Sequence, residues 1–351
     1  MTAQDDDTLP VADAHRFDEA RLARYCAGLL EGFDGTLEVR QMQGGRSNPT
    51  FLLRSGSNEW VLRKQPPGDL LPSAHAVDRE YRILSALGET DVPVPRTYLF
   101  CADRDVIGTP FYLMERMRGR VFHSSTLPGC TATQRAAMYH SVIDVLARIH
   151  KVDWQARGLA DYGRPGSYFA RQLSRWTKQY QASKSREIPD ADRLMEWLPR
   201  HLPETDETTI CHGDYRIGNV MFHPTEPRVI AVFDWELSTL GHPMADLSYL
   251  CMLWHQTEEE FGGVMGMDLA GTGIPSQADF EAEYCRLTGR AHGLEPFHMI
   301  FSMFRLVAIL EGVRARALAG NVASRDGKEV SDRTFALSRR AVELIEATGQ
   351  H

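Results

Sequence analysis

Residues 211–222 read CHGDYRIGNVMF, and residues 233–247 read FDWELSTLGHPMADL. Both stretches place charged and amide side chains beside short apolar runs that are typical of buried strands. Asp214 and Asn219 have four residues between them, and Asp234 follows the apolar run 229–233. Packing alone rarely requires so many polar groups between hydrophobic strands. The pattern therefore favours a functional site.

The spacing of Asp214 and Asn219 is that of the kinase catalytic loop H-x-D-x-x-x-x-N. Phosphoryl transfer needs a group that activates the acceptor hydroxyl, oxygen ligands for magnesium, and cations on the phosphates. We expect Asp214 to serve as base or orienting residue, with Asn219 and Asp234 as magnesium ligands. Arg216 is expected to steady the γ-phosphate, because a guanidinium suits phosphate oxygens. Each of these carboxylates alone would be read as a helix cap or turn residue, but their order and spacing favour the site.

Composition limits the class of protein. The chain has 351 residues, 43% of them hydrophobic and 25% charged, which is typical of a globular protein. A net charge of −8 argues against a nucleic-acid partner. The six cysteines form no CxxC pair, and the acidic start has no apolar signal segment. The most apolar helical stretch, HMIFSMFRLVAILEGV, is interrupted by Arg305 and is expected to be too short for a membrane span. These features predict a cytoplasmic protein with no membrane partner.

Periodicity predicts an α+β fold. Residues 1–14 are predicted to form a disordered tail. Residues 15–116 contain β-like runs and one amphipathic helix after a first helix, which indicates a small β-rich amino lobe. Residues 117–351 are mostly helical and carry the polar stretches in a carboxy lobe. The sequence does not predict the oligomeric state.

The chain resembles the aminoglycoside phosphotransferase (APH) and choline kinase-like family of small-molecule kinases. Within that family it is most similar to the phosphotransferase-like domains associated with acyl-CoA dehydrogenases. The resemblance is carried by WVLRKQPPG, AHAVDREYRIL, DVPVPRTY, GTPFYLMERMRG, CHGDYRIGNVMF and FDWELSTLGHPMADL. It implies a bilobal protein-kinase-like fold, with ATP between the lobes and Mg²⁺ as the metal.

The resemblance places further residues on the nucleotide. Arg63 falls where the family's strand-borne cation contacts the α- and β-phosphates, and Lys64 is the alternative. Since Val61 and Arg63 share one face of the strand, the two candidates point to opposite faces. Glu80 falls where a helix carboxylate orients that cation, although an exposed helix residue would fit the sequence equally well.

Three other segments are assigned in the same way. QGGRSN occupies the place of a phosphate-covering loop, so Ser47 and Asn48 are candidate phosphate contacts, although the glycines could simply turn a hairpin. YLMERM resembles the hinge that contacts adenine, with Glu115 and Met117 as candidates. Asp246 is expected to cap the following helix and brace the catalytic loop.

The acceptor remains open at this level. The resemblance implies phosphate transfer from ATP to a hydroxyl of a small molecule, and it favours a hydroxyacyl compound. The alternatives are an aminoglycoside or choline-type acceptor, for which TEEEF and EAEY are candidate acidic clusters, and a catalytically silent nucleotide-binding regulatory module. Three late arginines, Arg305, Arg314 and Arg316, either meet an acidic acceptor or belong to the surface.

Overall fold

The computed structural model describes residues 8–43, 48–68, 75–319 and 327–349. These residues group into two compact units. The amino-terminal unit comprises Met1–Gly119, Arg157–Leu159 and Ile230–Ser238, and the carboxy-terminal unit comprises Arg120–Ala156, Ala160–Val229 and Thr239–His351. The chain first passes from the amino-terminal to the carboxy-terminal unit after Gly119, close to the predicted boundary after residue 116. The segment Ile230–Ser238 was assigned by sequence to the carboxy lobe, but it packs in the amino-terminal unit together with the early strands.

An antiparallel sheet forms the centre of the amino-terminal unit, with the strand order β1-β2-β3-β4-β6-β5. Its strands are β1 (Thr8–Leu9), β2 (Glu38–Met42), β3 (Thr50–Ser55), β4 (Asn58–Lys64), β5 (Thr97–Cys101) and β6 (Phe111–Glu115). The helices of this unit are α1 (Glu19–Cys26), α2 (Val77–Leu87) and α3 (Arg104–Ile107). The α+β fold class predicted from the sequence is confirmed. Strand β1 lies within the stretch predicted as a disordered tail, and it pairs with β2.

Strand alternation separates the two faces of this sheet. Phe51 and Leu53 of β3 join Trp60 and Leu62 of β4 in one hydrophobic cluster, to which Leu22 and Cys26 of α1 also belong. Arg63 has the opposite parity to Trp60 and Leu62, so its side chain leaves from the other face. The sheet thus separates its main hydrophobic cluster from the face on which Arg63 lies.

The carboxy-terminal unit is built mainly from helices. They are α4 (Ala132–Lys151), α5 (Tyr168–Ser183), α6 (Pro189–Trp197), α7 (Met244–Cys251), α8 (Glu258–Phe261), α9 (Gln277–Thr288), α10 (Pro296–Leu318) and α11 (Gly327–Thr348). Short strands interrupt them at β7 (Thr209–Cys211), β8 (Val220–Phe222) and β10 (Thr239–Gly241). Strand β9 (Val229–Val232) belongs to the amino-terminal unit except for its first residue, Val229. Helix α4 starts with a capping box, in which Thr131 and Gln134 exchange side-chain and backbone hydrogen bonds of 2.9 and 3.2 Å.

Helix α10 lies at the centre of this unit and packs against α5, α7 and α11. It has 23 residues, so the expectation of a helix too short to cross a membrane is wrong by length and composition. Of its most apolar stretch, 83% is buried inside the protein, as in the core helix of a water-soluble domain. Its apolar character is therefore explained by packing within the unit.

Candidate active site

The loop that carries Asp214 begins where β7 ends. Strand β7 pairs with β10 in antiparallel register, with Cys211 opposite Thr239. Gly213 has a φ of +83°, a left-handed conformation that glycine adopts without steric cost, and this turns the chain sharply out of the strand. A short 3₁₀ turn at Ile217–Asn219 then leads into β8. The two ends of the catalytic loop are thus fixed by strands.

Asp214 and Asn219 meet as the spacing predicts. The Asn219 side-chain amide donates to the Asp214 carboxylate oxygen Oδ2 at 2.7 Å and to the Asp214 carbonyl at 2.8 Å. Because the amide nitrogen is used in these bonds, the Asn219 carbonyl oxygen Oδ1 is the atom left for a ligand. Arg216 lies close by, with its Nε 3.5 Å from the same carboxylate oxygen and its side chain 51% exposed.

Asp246 braces this loop from the first turn of α7. Its carboxylate accepts the backbone N–H of His212 at 2.6 Å and that of Gly213 at 2.8 Å. Burial disfavours the charged form of Asp246, but the bonds from His150 and Gly213 outweigh this, and its pKa lies below the usual value. The predicted bracing role agrees with this geometry. The predicted capping role does not, because Asp246 lies inside the helix and its cap position is Pro243.

A second layer holds Asp246. His150, in the last turn of α4, places Nε2 3.4 Å from the Asp246 carboxylate and Nδ1 2.5 Å from the hydroxyl of Tyr284. Both ring nitrogens of His150 thus have a partner. His212 supports the loop from within, since its Nδ1 accepts the backbone N–H of Asp214 at 3.1 Å.

The amino-terminal unit carries a separate charged cluster around Arg63. Its Nε lies 2.9 Å from Glu80 on α2, and its Nη2 lies 2.9 Å from Asp234 and 3.9 Å from Glu236. Burial raises the pKa of Glu80 to about 7, against the opposing effect of the Arg63 charge. The Arg63 guanidinium therefore lies within 4 Å of three carboxylates.

Geometry also distinguishes Arg63 from Lys64. The Lys64 ammonium lies on the other face of the sheet, 5.2 Å from the centre of the Phe17 ring, and burial lowers its pKa. Arg63 is the member of the pair that lies with Glu80 and Asp234. The helix carboxylate is buried and ion-paired, so the exposed-residue explanation for Glu80 is wrong.

Asp234 has an unusual backbone. Its φ of 67° and ψ of 53° place it in the left-handed region, which asparagine, aspartate and glycine adopt most easily. The conformation ends β9 and leaves the Asp234 side chain 37% exposed, while Trp235 turns into the interior and donates its indole N–H to the Val232 carbonyl at 3.0 Å. Trp235 therefore packs in the interior.

The structure describes three of the four remaining candidates for nucleotide contacts. Ser47 lies outside the described residues. Asn48 is buried, and its side-chain carbonyl lies 3.1 Å from Nδ1 of His75. The backbone N–H of Glu115 donates to the Arg96 carbonyl at 2.8 Å, and its carboxylate accepts the Arg96 N–H at 3.2 Å. Met117 is half-buried in the segment after β6.

Tyr249 is a neighbour of Asp214 that the sequence pattern did not predict. The Tyr249 hydroxyl lies beside the Asp214 carboxylate, and burial followed by that negative charge raises the Tyr249 pKa. Tyr249 sits on α7 three residues after Asp246, so it follows the bracing carboxylate by almost one helical turn. This i, i+3 relation was the available signal, because both residues must face the same loop.

The oxygen-rich donors suit magnesium rather than zinc. Asn219 offers an amide oxygen and Asp234 a carboxylate, which are hard ligands of the kind that bind Mg²⁺ together with nucleotide phosphates. Across the described ranges, no three His, Cys, Asp or Glu side chains cluster as a metal site built from protein ligands alone. Each of these two oxygen donors is of a type that binds Mg²⁺.

The sequence profile of the phosphotransferase enzyme family (APH) matches residues 38–280. Human acyl-CoA dehydrogenase family member 11 is 40% identical over 368 residues, which cover 98% of this chain and 46% of that protein. The chain thus spans less than half the length of this relative. A solved Ralstonia eutropha protein, assigned provisionally as an aminoglycoside phosphotransferase, is 45% identical, with a TM-score of 0.88 over 95% of this chain and 99% of its own.

A more distant solved structure has the same fold. The aminoglycoside phosphotransferase APH(4)-Ia, in complex with ADP and hygromycin B, superposes with a TM-score of 0.60 at 15% identity, over 88% of this chain and 95% of its own. Members of this family transfer phosphate from ATP to hydroxyls of small molecules. This chain belongs to the phosphotransferase enzyme family and is a small-molecule kinase with an alcohol-group acceptor.

Proposed function

We propose that the protein is an ATP- and Mg²⁺-dependent kinase that phosphorylates a hydroxyl of a hydroxyacyl compound, and that it acts in the cytoplasm. The observation that carries the proposal is the fixed Asp214–Asn219 pair, held at 2.7 Å on a loop whose backbone is clamped by Asp246. A loop braced in this way keeps its carboxylate in one orientation, which is what an acceptor hydroxyl requires.

Asp214 acts on the acceptor. Its carboxylate orients the hydroxyl and takes up its proton as the acceptor oxygen bonds to the γ-phosphorus. The bond from that phosphorus to the bridging β–γ oxygen breaks at the same step, and ADP leaves with the electron pair. The Asn219 amide keeps the carboxylate turned towards the acceptor through its 2.7 Å hydrogen bond. Arg216, which is exposed beside Asp214, neutralises charge on the transferred group.

The phosphates of ATP are bound by the cluster around Arg63. Glu80 orients the guanidinium through the 2.9 Å ion pair, so that its remaining donors serve phosphate oxygens. Asn219 Oδ1 and the Asp234 carboxylate would hold the metal. A magnesium ion bound there supplies charge neutralisation for the phosphates during transfer. Ser47, Asn48, Glu115 and Met117 complete the nucleotide contacts in this proposal.

Two observations support an acyl-type acceptor over an aminoglycoside. The relatives that match nearly all of this chain are named as acyl-CoA dehydrogenase family members. The acidic stretches TEEEF and EAEY each contain a glutamate that is paired with an arginine of the protein. Glu260 forms two bonds to Arg340 at 2.7 and 2.8 Å, and Glu283 forms two to Arg286 at 2.7 Å. Carboxylates neutralised by arginine attract a polycationic antibiotic less strongly.

The test is a mass-spectrometric screen of acceptors with the purified protein, ATP and MgCl₂. The panel contains hydroxycarboxylic acids, their coenzyme A thioesters, choline and several aminoglycosides. We expect a product with the mass of one added phosphoryl group in the hydroxyacyl set and a stoichiometric amount of ADP. Phosphorylation confined to choline or to aminoglycosides would overturn the acceptor assignment. ATP binding with no product across the panel would favour a silent regulatory module.

A further inference from the structure

Arg305 differs from the other two late arginines. It lies in the buried centre of α10 and is only 6% exposed, whereas Arg316, three turns further on, is exposed. Arg314 donates to the Ser185 hydroxyl at 3.1 Å near the surface. Of the three arginines that the sequence left open, only Arg305 is buried in the unit that carries Asp214.

The Arg305 guanidinium lies against two aromatic rings and a backbone carbonyl. It donates one hydrogen bond, to the carbonyl of Gly213, and it lies 5.5 Å from the ring centre of Trp176 and 5.0 Å from that of Tyr249. In the part of the chain that the structure describes, no ion pair within 4 Å joins it to an Asp or Glu oxygen, and its Nε–H has no acceptor. The indole N–H of Trp176 is also buried, and it too has no acceptor among the described residues.

This arrangement contrasts with that of a second buried arginine, Arg63, and of a half-buried one, Arg186. Arg63 pairs with Glu80 and Asp234, and Arg186 pairs with Glu311 at 2.8 Å. A buried charge is normally paired, because desolvation without a counter-ion is costly. Aromatic rings attract a cation, but they do not neutralise it, and a guanidinium offers five N–H donors. Two neighbouring sets of unused donors therefore indicate a missing anionic hydrogen-bond acceptor.

The position of Arg305 relates it to the reacting hydroxyl. The carbonyl that it binds belongs to Gly213, directly before Asp214. Tyr249 links the two groups, since its ring lies against Arg305 and its hydroxyl lies beside Asp214. An anion bound at Arg305 would therefore lie close to a hydroxyl oriented by Asp214.

We propose that Arg305, together with the indole N–H of Trp176, binds the carboxylate of the acceptor while Asp214 orients its hydroxyl. The acceptor is then a hydroxycarboxylic acid in its free, ionised form. This inference rests on the proposed kinase function and narrows its substrate class. The coenzyme A thioester of the same acid is a second source of the same acyl chain, but it lacks the negative charge at the carboxyl carbon.

The experiment compares kcat/KM for a hydroxycarboxylic acid, its primary amide and its coenzyme A thioester. A series with the hydroxyl at successive carbons identifies the best chain geometry first. We expect the wild-type protein to prefer the acid over the amide by about 10- to 100-fold, the range for a charge-assisted hydrogen bond. Arg305→Gln should abolish this preference, and Arg305→Lys should retain part of it, since the positive charge remains.

The ratio of kcat/KM for the acid to kcat/KM for the amide distinguishes two roles of Arg305, carboxylate binding and support of the loop through the Gly213 carbonyl. Loss of the Gly213 carbonyl bond slows both substrates alike, whereas loss of carboxylate binding slows only the acid. Arg316→Gln removes the same charge from an exposed position on the same helix and should leave the ratio unchanged. Trp176→Phe keeps an aromatic ring but removes the indole N–H, and it should lower the ratio.

Calorimetric titration with the same acid distinguishes this inference from the kinase function. If no acceptor is phosphorylated but the acid binds wild type and not Arg305→Gln, the kinase function fails and the carboxylate site stands. Equal kcat/KM for acid and amide, a ratio unchanged in Arg305→Gln, or a wild-type preference for the thioester would overturn the carboxylate site. So would absence of both transfer and binding.

Discussion

The carboxylate of Asp246 accepts the backbone N–H of His212 at 2.6 Å. The bracing carboxylate thus holds the loop two residues before Asp214, through a backbone N–H of the loop. The same carboxylate holds the next N–H, that of Gly213, at 2.8 Å. Geometry at Asp214 therefore depends on a residue that need not touch either substrate.

Asp246→Asn should impair catalysis more than binding. An asparagine has one carbonyl oxygen, so one of the two backbone N–H groups would meet an NH₂ instead of an acceptor. We expect kcat to fall by roughly 100-fold, since small displacements of a positioned group can cost that much. The KM for ATP should change by less than about threefold. Steady-state kinetics measures both.

The matched control for this variant is Asp144→Asn, which breaks the 2.5 Å pair with Arg148 on α4. A half-exposed i, i+4 pair of this kind contributes only about 0.3–0.5 kcal/mol to stability, and kcat should remain unchanged. Equal kcat in Asp246→Asn and wild type would remove Asp246 from the positioning of the loop.

Arg63→Lys should weaken nucleotide binding. Lysine retains the charge, but it is a single ammonium and cannot serve Glu80 and Asp234 through separate nitrogens of a planar fork. We expect the Kd for ATP to rise by about tenfold, which corresponds to the loss of one charge-assisted hydrogen bond. Arg54→Lys, on the neighbouring strand, changes a cation that pairs with Glu59 at 2.9 Å and serves as the control. Unchanged affinity in Arg63→Lys would contradict the proposed phosphate contact.

Asp234→Gly should remove the magnesium dependence of nucleotide binding. Glycine accepts the left-handed backbone at φ 67° without strain, so the variant deletes the carboxylate while preserving the turn. Asp234→Ala would add about 1 kcal/mol of backbone strain and is the poorer test. Titration of ATP with and without MgCl₂ should show two similar affinities in the glycine variant. A full magnesium effect in that variant would exclude Asp234 as a metal ligand.

Two buried histidines should make the protein less stable in acid. Burial lowers the pKa of His242 to about 4 and that of His298 to about 3, and their rings stack at 5.8 Å. The unfolded chain binds protons on both residues below about pH 6.5, whereas the folded chain does not, so stability falls as the pH decreases from 6.5 towards 4. His242 alone should account for about 3 kcal/mol by pH 4.

The measurement is urea unfolding at several pH values between 7 and 4. His242→Gln cannot take up the proton and should show a smaller loss of stability over this range than wild type. His140→Gln is the control, because this histidine is exposed on α4 beside Glu283. Parallel pH dependences for wild type and His242→Gln would show that His242 is protonated in the folded protein.

Much of the fold and part of the site follow from the sequence. Residue alternation in β4 assigned Arg63 and Lys64 to opposite faces, and the helical period correctly predicted an amphipathic helix in the amino lobe, which is α2. The relation between Asp214 and Asn219 could be predicted because it is local, and both residues lie on one loop. Local patterns of this kind need no knowledge of the tertiary structure.

What the sequence did not reveal depends on contacts between distant residues. Asp234 joins Arg63 across 171 positions, so its place in the amino-terminal unit could not be read from either stretch. His150 and Tyr284, which support Asp246, are likewise distant from their partners in the sequence. The burial of Arg305 had a usable signal, since this arginine interrupts an otherwise apolar helix, and a central helix buries all its faces.

The central claim is that Asp214 orients and deprotonates an acceptor hydroxyl during phosphate transfer. The most direct measurement is single-turnover transfer of γ-labelled phosphate from ATP to the best acceptor, with wild type and Asp214→Asn compared at equal nucleotide occupancy. We predict that transfer slows by at least about 100-fold in Asp214→Asn while the Kd for ATP stays within about twofold. Transfer at the wild-type rate in that variant would contradict the account.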